Sequence, residues 1–172
     1  MKVIKQFFAE WWIYIVLMAM VFVLFNTVFF KFVYVPTGSM EPTIRTDSLC
    51  LSWRAPYTIS KEADVQRGEI IAFNSAEAGK ILCKRVIGIA GDKIEFKDGD
   101  VYINGELPET DYAAEPHTTF CDKTFYVPAN CIFCMGDNRQ NSKDCRDFLD
   151  PYVSVDDIYC KVLVSIPMPF AK

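Results

Sequence analysis

The chain has 172 residues, enough for one compact domain and an accessory segment. Its formal net charge is −4, and an acidic protein lacks the basic surface that binds nucleic acid, so we exclude that class of partner. Hydrophobic residues make up 51% of the chain, a high share for a soluble protein, and much of this excess lies in the first thirty residues.

The N-terminal segment predicts a membrane anchor over residues 11–31. Residues 11–30 carry no charge, and Asn26 and Thr27 are their strongly polar members. As a helix this run would span roughly 30 Å, the thickness of a bilayer core. A cleaved signal peptide would have a shorter apolar region and then an Ala-x-Ala-like site, whereas Val33-Tyr34-Val35-Pro36 follows here. A retained anchor in contact with the lipid bilayer is therefore favoured.

Charges beside the anchor predict its orientation. Lys2 and Lys5 precede it and favour a cytoplasmic location for residues 1–10, although Lys31 flanks its other end. Residues 32–172 would then form an extracytoplasmic domain, with residues 93–130 as a hairpin and loop insertion. We expect a single-pass protein of the cell membrane.

Beyond residue 32 the pattern is β rather than helical. Short runs rich in β-branched residues at 68–73 and 80–89 are bounded by glycine. Residues 93–97 and 100–104 alternate around Asp98-Gly99, a strong hairpin signal. Further strands are predicted at 124–127, 131–135 and 158–166, a turn or short helix at 142–150, and a loop at 105–123. The fold class is therefore mostly β, one all-β domain behind one transmembrane helix.

Seven cysteines are many for a chain of this size, and an odd number cannot all pair within one molecule. Cys131-x-x-Cys134 has no second pair at zinc-finger spacing, so we expect no metal and no cofactor. Outside the cytosol, one or two disulfides are plausible, and free buried thiols are the alternative. The sequence leaves both open.

The stretch Thr37-Gly38-Ser39-Met40-Glu41-Pro42-Thr43 places a serine hydroxyl beside a glycine, so that the backbone can turn and leave the hydroxyl reachable. A serine becomes a nucleophile when a base takes its proton. The single histidine, His117, lies in a polar loop. Lys84 lies in an apolar run, and burial there would lower the pKa of its amine toward that of a base. A strand-edge lysine with its amine in water is the alternative reading.

Several motifs in one order carry a resemblance. They are Thr37–Thr43, Arg67–Phe73, Lys84–Gly88, Gly91-Asp92 and the stretch from Gly136 to Arg146. Together with the anchor they resemble the motif set of type I signal peptidases, which are Ser–Lys serine proteases. The resemblance implies a compact all-β catalytic domain of the signal-peptidase and LexA type.

The resemblance also implies roles for individual residues. Ser39 matches the nucleophile and Lys84 the general base of the family. Thr37 matches the residue whose hydroxyl joins the Ser39 backbone N–H in the oxyanion hole. Four further residues match supporting positions of the family. Met40 matches the residue that packs beside the serine, and Ser142 the residue that orients the lysine amine. Asp144 and Arg146 match a supporting ion pair. Cys145 stands where the family commonly has a serine. It would be either a disulfide partner or a small buried thiol.

The activity implied by the resemblance is removal of N-terminal signal peptides from exported preproteins, with small residues, mostly alanine, at positions −1 and −3. The expected partners are secretory preproteins, bound as an added strand, the lipid bilayer, and the secretion translocon nearby. Two alternatives stay open: a related peptidase specialised for pilin-like or conjugation proteins, and a catalytically inactive, membrane-anchored binding module. Intact Ser39, Lys84 and Ser142 weigh against the second.

Overall fold

A long helix leads directly into a β domain in the computed structural model, which describes residues 2–55, 57, 64–110, 112–113 and 119–168. Helix α1 is Lys2–Phe29. Its apolar part, Trp11–Phe29, has 19 residues and a mean hydropathy of 2.3, and none of it is buried inside the protein. At ~1.5 Å per residue its length approaches the thickness of a bilayer core. By length and composition, this helix could cross a membrane.

The helix ends two residues before the predicted end of the anchor. Phe30 and Lys31 instead begin strand β1, where they pair with Trp53 and Ser52 of β2. Backbone pairing with β2 therefore ends the helix, which apolar composition alone does not reveal.

Ten strands form two antiparallel sheets in the described part of the chain. The strands are β1 Phe30–Val35, β2 Ser48–Trp53, β3 Ile70–Ser75, β4 Lys80–Gly88, β5 Lys93–Lys97, β6 Asp100–Ile103, β7 Phe125–Tyr126, β8 Cys131–Met135, β9 Val153–Ser154 and β10 Ile158–Pro167. The larger sheet has seven strands in the order β1-β2-β10-β3-β4-β8-β9, and the smaller has three in the order β6-β5-β7. Short 3₁₀ turns occur at Gly38–Met40 and Val155–Asp157.

The mostly β fold and the strands predicted from alternation and β-branched runs are confirmed, with ends that shift by one or two residues. The hairpin is also confirmed, because Asp98 and Gly99 both have positive φ, 54° and 94°, as a two-residue turn requires. Residues 142–150 form turns rather than a helix. The described residues of 105–123 contain no strand apart from an isolated bridge between Ile103 and Glu106.

Strand β2 was not predicted, because its polarity is the reverse of the usual pattern. Ser48, Cys50 and Ser52 are fully buried, whereas Leu49 and Leu51 are half-exposed on the opposite face. A half-buried strand normally turns its apolar residues toward the core. This inversion hides the strand from pattern-based prediction.

Among the described residues, two hydrophobic clusters hold the sheets together. The larger lies between the two sheets and includes Ile71, Phe73, Val86, Ile94 and Phe133. The smaller surrounds the Ser39 turn and consists of Val35, Met40, Ile44, Cys50 and Cys83. The turn that carries the serine is thus packed against β1, β2 and β4.

All seven cysteines are free thiols in the structure. Four of them, Cys50, Cys134, Cys145 and Cys160, are fully buried. Of the two possibilities that the sequence leaves open, the structure therefore shows free thiols. In the described ranges, no three His, Cys, Asp or Glu side chains lie close enough together to hold a metal ion.

The buried carboxylate of Asp92 joins the loops between the two sheets. It accepts hydrogen bonds from the Arg67 guanidinium (2.8 and 2.5 Å), from the Ile89 N–H (2.8 Å) and from the Asn104 amide (2.9 Å). Burial by itself would raise the pKa of Asp92, but these bonds outweigh it and hold the pKa below its ordinary value of 3.8. Asp92 therefore stabilises the fold in its charged form.

We expect Asp92→Asn to lower the free energy of unfolding at neutral pH by about 2 kcal/mol, the scale of hydrogen bonds to a charged group. Because the folded pKa is depressed, this contribution is complete above 3.8 and is lost as pH falls through the folded pKa. Urea unfolding of the detergent-solubilised protein at several pH values measures both effects. The exposed Asp122→Asn is the control. Equal acid sensitivity of wild type and Asp92→Asn would contradict the role of Asp92.

Candidate active site

A groove of about 350 Å³ lies between β1 and β4. Residues 33–37 form one wall and residues 80–84 the other, and Ser39 and Lys84 both line the groove. Strand β1 is an edge of the larger sheet. Strand β8 pairs with β4 only from Arg85 to Gly88, so in the described structure no strand lies beside residues 80–84 on that side. Two strand edges therefore border the groove.

Ser39 sits on the 3₁₀ turn Gly38–Met40 and is half-buried. The backbone N–H of Asn138 donates to the Ser39 carbonyl and the Asn138 side chain to the Gly38 carbonyl, each at 3.1 Å. Met40 is completely buried in the smaller cluster. The turn is thus held from below by packing and from the side by the segment that follows β8.

Thr37 precedes this turn and is exposed in the groove. Its backbone is extended, with φ −123° and ψ 150°, and its side chain makes no capping hydrogen bond to the turn. A threonine at this position often uses its hydroxyl to cap the following N–H groups. Here the Thr37 hydroxyl makes no such bond, and it lines the same groove as Ser39.

Lys84 is buried, with 2% of its surface exposed. Its Nζ donates to the Ser142 hydroxyl at 2.9 Å. Burial lowers the pKa of the Lys84 amine, and the negative charge of Asp144 partly opposes this. Among the described residues, no hydrogen bond joins the Lys84 amine to the Ser39 hydroxyl, although both groups face one groove. Catalytic hydrogen bonds are often long in structures without substrate.

Behind Lys84 lies a buried chain of hydrogen bonds. The Ser142 hydroxyl donates to Asp144 Oδ2 at 2.7 Å, as does the Gly136 N–H at 2.9 Å. The guanidinium of Arg146 binds both carboxylate oxygens of Asp144, at 2.8 and 2.9 Å. Burial would raise the pKa of Asp144, but its bonds with Arg146 hold the pKa below the ordinary value. The chain therefore runs from Arg146 through Asp144 and Ser142 to the Lys84 amine.

A second buried ion pair, between Arg85 and Asp137, received no role from the sequence. Two hydrogen bonds join the side chains, at 2.8 and 2.5 Å, and the Thr43 hydroxyl donates to Asp137 at 2.6 Å. The pair connects β4 to the stretch that follows β8, and Thr43 adds the segment that follows the Ser39 turn. The signal available in the sequence was the placement of opposite charges directly after Lys84 and Gly136.

Two other sequence expectations concern His117 and Cys145. His117 lies outside the described residues. Cys145 is a buried free thiol rather than a disulfide partner, and its sulfur accepts the backbone N–H of Cys134 at 3.2 Å. It packs in the larger cluster behind the Asp144–Arg146 pair.

The fold is a predominantly antiparallel β domain that follows one apolar helix, and it matches a crystal structure of a signal peptidase I from Enterococcus faecalis. That match has a TM-score of 0.50 and 31% identity, and it covers 59% of this chain and 97% of the other. The family model described as signal peptidase, peptidase S26, matches residues 8–166. The chain therefore belongs to the signal peptidase family.

Curated relatives agree with this assignment. Signal peptidase I P of Bacillus subtilis subsp. natto is 32% identical over 168 residues, 91% of this chain and 89% of that protein. Signal peptidase I U of Bacillus subtilis is 31% identical over 161 residues, 89% of this chain and 84% of that protein. A probable signal peptidase I-2 of Synechocystis is 34% identical over 117 residues, and the chain spans about half of its length, 52%.

Gly136 tests whether the close packing of this site matters for activity. A Cβ at this position would lie 2.2 Å from Ser142 Oγ and 2.4 Å from the Ser39 carbonyl oxygen. We expect Gly136→Ala to displace one or both serines and to lower kcat for peptide hydrolysis by about 10²-fold, the scale of a 1 Å misplacement.

The matched control is Gly79→Ala, because a Cβ there meets nothing within 4 Å and only backbone strain at φ 61° is added. This control should keep nearly all activity. Wild-type kcat in Gly136→Ala would show that the packing is not needed.

Proposed function

We propose that the protein is a membrane-anchored signal peptidase I that cleaves exported preproteins after small residues at −3 and −1, with Ser39 and Lys84 as a catalytic dyad. The observation that carries the proposal is the buried amine of Lys84 in the same groove as Ser39. Burial lowers the pKa of that amine, which favours the neutral form that a general base requires. Membership of the signal peptidase family supplies the reaction class.

The proposed reaction begins when the neutral Lys84 amine takes the proton of the Ser39 hydroxyl. The Ser39 oxygen then attacks the carbonyl carbon of the scissile bond, and the resulting oxyanion accepts hydrogen bonds from the Ser39 N–H and the Thr37 hydroxyl. Collapse breaks the C–N bond, and the Lys84 ammonium returns its proton to the leaving amine. Lys84 then deprotonates a water molecule, which attacks the acyl carbon. The bond between that carbon and the Ser39 oxygen breaks, and the Lys84 ammonium returns the proton to the Ser39 oxygen. Throughout, Ser142 holds the amine in place.

The shape of the groove supports an extended substrate. A peptide strand could pair with the unpaired edge of β4 beside residues 80–84, a recurring mode of peptide recognition. The buried side chains of Val35, Met40 and Cys83 pack together beneath the peptide that would bind there. They would limit the depth of the groove, which favours small substrate side chains. We therefore propose secretory preproteins with Ala-x-Ala sites as the substrates.

We also propose an orientation for the membrane anchor. Residues 11–29 would cross the bilayer with residues 1–10 in the cytoplasm, and the domain from residue 30 onward would lie outside, near the secretion translocon. Because β1 starts where the helix ends, the groove would remain close to the outer membrane surface. A signal peptide's cleaved bond also lies only a few residues beyond its apolar segment.

We expect Ser39→Ala and Lys84→Ala each to lower kcat by roughly 10³-fold or more, since each removes a member of one proton-transfer unit. The measurement is cleavage of a preprotein with an Ala-x-Ala site in detergent, with His117→Ala as the matched control that keeps activity. For wild type, the rate should rise with pH as the Lys84 amine deprotonates, with a midpoint below the ordinary lysine value of 10.5.

Activity that survives Lys84→Ala but not His117→Ala would overturn the dyad. A wild-type protein that cleaves none of several Ala-x-Ala preproteins would instead favour the specialised peptidase or the binding module.

Thr37 offers a separate test of the oxyanion hole. We expect Thr37→Val to lower kcat by about 10²-fold with little change in KM, because the hydroxyl would bind the oxyanion and not the ground-state substrate. Thr37→Ser keeps a hydroxyl and should retain most of the activity. Steady-state kinetics of both variants on one peptide decide the matter, and an unchanged kcat in Thr37→Val would assign the oxyanion to other donors.

A further inference from the structure

We infer that Trp53 fixes the angle between the helix and the β domain, and thereby selects how far beyond its apolar segment a preprotein is cleaved. The inference rests on the proposed function, because it requires a membrane-anchored enzyme and a substrate in the same bilayer. In this role Trp53 is a positioning residue, since it lies at the end of β2 and not among the residues that line the groove.

The first observation is that no linker separates the helix from the domain. Helix α1 ends at Phe29, and β1 begins at the next residue, Phe30, which pairs with Trp53. The backbone N–H of Arg54 donates to the Phe29 carbonyl at 2.8 Å. The last residue of the helix is therefore bonded to the residue that follows β2, and both strands leave the helix as one unit.

The second observation is that one side chain contacts both sides of this junction. The Trp53 ring stacks on the Phe29 ring, with centroids 5.8 Å apart and planes at 30°. It also meets the Phe30 ring edge-on, with centroids 4.8 Å apart. Phe25, one turn earlier in the helix, packs on Phe29 at 4.4 Å. Bending of the helix relative to the sheet would separate these rings, so the contacts restrict the angle.

The third observation is the position of the junction. Phe29 is the last residue of the apolar span, so Trp53 would lie at the outer interface, where tryptophan is favoured. The six residues of β1 then extend about 20 Å toward Pro36 and the Ser39 turn. With a fixed angle at the junction, Ser39 stays at one height above the bilayer. A substrate whose apolar segment spans that bilayer must bring its scissile bond to the same height.

The experiment uses the full chain in phosphatidylethanolamine–phosphatidylglycerol liposomes. The substrates are a ladder of preproteins that differ only in the number of residues, from about 3 to 12, between apolar segment and cleavage site, a range that alters reach by roughly 30 Å. The variants are Trp53→Ala, Trp53→Phe, which keeps an aromatic ring, and Trp12→Ala as a matched loss of tryptophan at the other end of the span. A short soluble Ala-x-Ala peptide in detergent reports catalysis without the membrane.

Wild type should show one preferred spacing. In Trp53→Ala we expect the ratio of rates between the best and worst spacings to fall at least about three-fold, because the ring contacts that fix the angle are lost. Trp53→Phe and Trp12→Ala should keep the wild-type profile, and all variants should cleave the soluble peptide at similar rates.

Three results separate the possibilities. An unchanged spacing profile in Trp53→Ala would overturn the inference. An equal loss on the soluble peptide and on the whole ladder would also overturn it, because Trp53 would then support the catalytic fold itself. If wild type fails to cleave the soluble peptide, the proposed function is wrong, whatever the spacing profiles show.

Discussion

The site depends on a buried lysine amine that, in the described part of the chain, forms no ion pair with a carboxylate. A direct ion pair would hold Lys84 in its charged form, which cannot accept a proton. Arg146 binds both oxygens of Asp144, and the Ser142 hydroxyl links that carboxylate to the Lys84 amine. The carboxylate charge is thus compensated by the guanidinium, and burial is left to dominate the pKa of the lysine.

The same segment of chain supports both faces of β4. Lys84 and Arg85 are adjacent in the strand and point to opposite sides, yet their partners, Ser142 and Asp137, both belong to the stretch that follows β8. Gly136 begins this stretch, and the contacts that a Cβ would make there show how closely the backbone passes Ser142 and Ser39. The contacts between β4 and the loop that follows β8 therefore set the geometry of the site.

Much of the fold was predictable, because most strands follow the ordinary alternation of a half-buried sheet. Strand β2 was not, since its serines face the interior and its leucines face outward. The residues of the site were predicted from a motif resemblance rather than from spacing, which by itself allowed a solvated Lys84. The charges directly after Lys84 and Gly136 did not reveal the Arg85–Asp137 pair, because its two members are distant in sequence and meet only in the folded chain.

The two open edges of the groove have a further consequence for the proposed reaction. Strands β1, β2, β10, β3 and β4 are consecutive neighbours, and β1 and β4 are also the walls of the groove. A peptide that paired with both β1 and β4 would be the sixth strand that closes these five strands into a barrel. Hydrolysis would then divide that substrate strand into two short peptides. Each peptide would make fewer backbone hydrogen bonds to the enzyme's strands than the intact substrate. Bond cleavage would itself reopen the barrel and release the products.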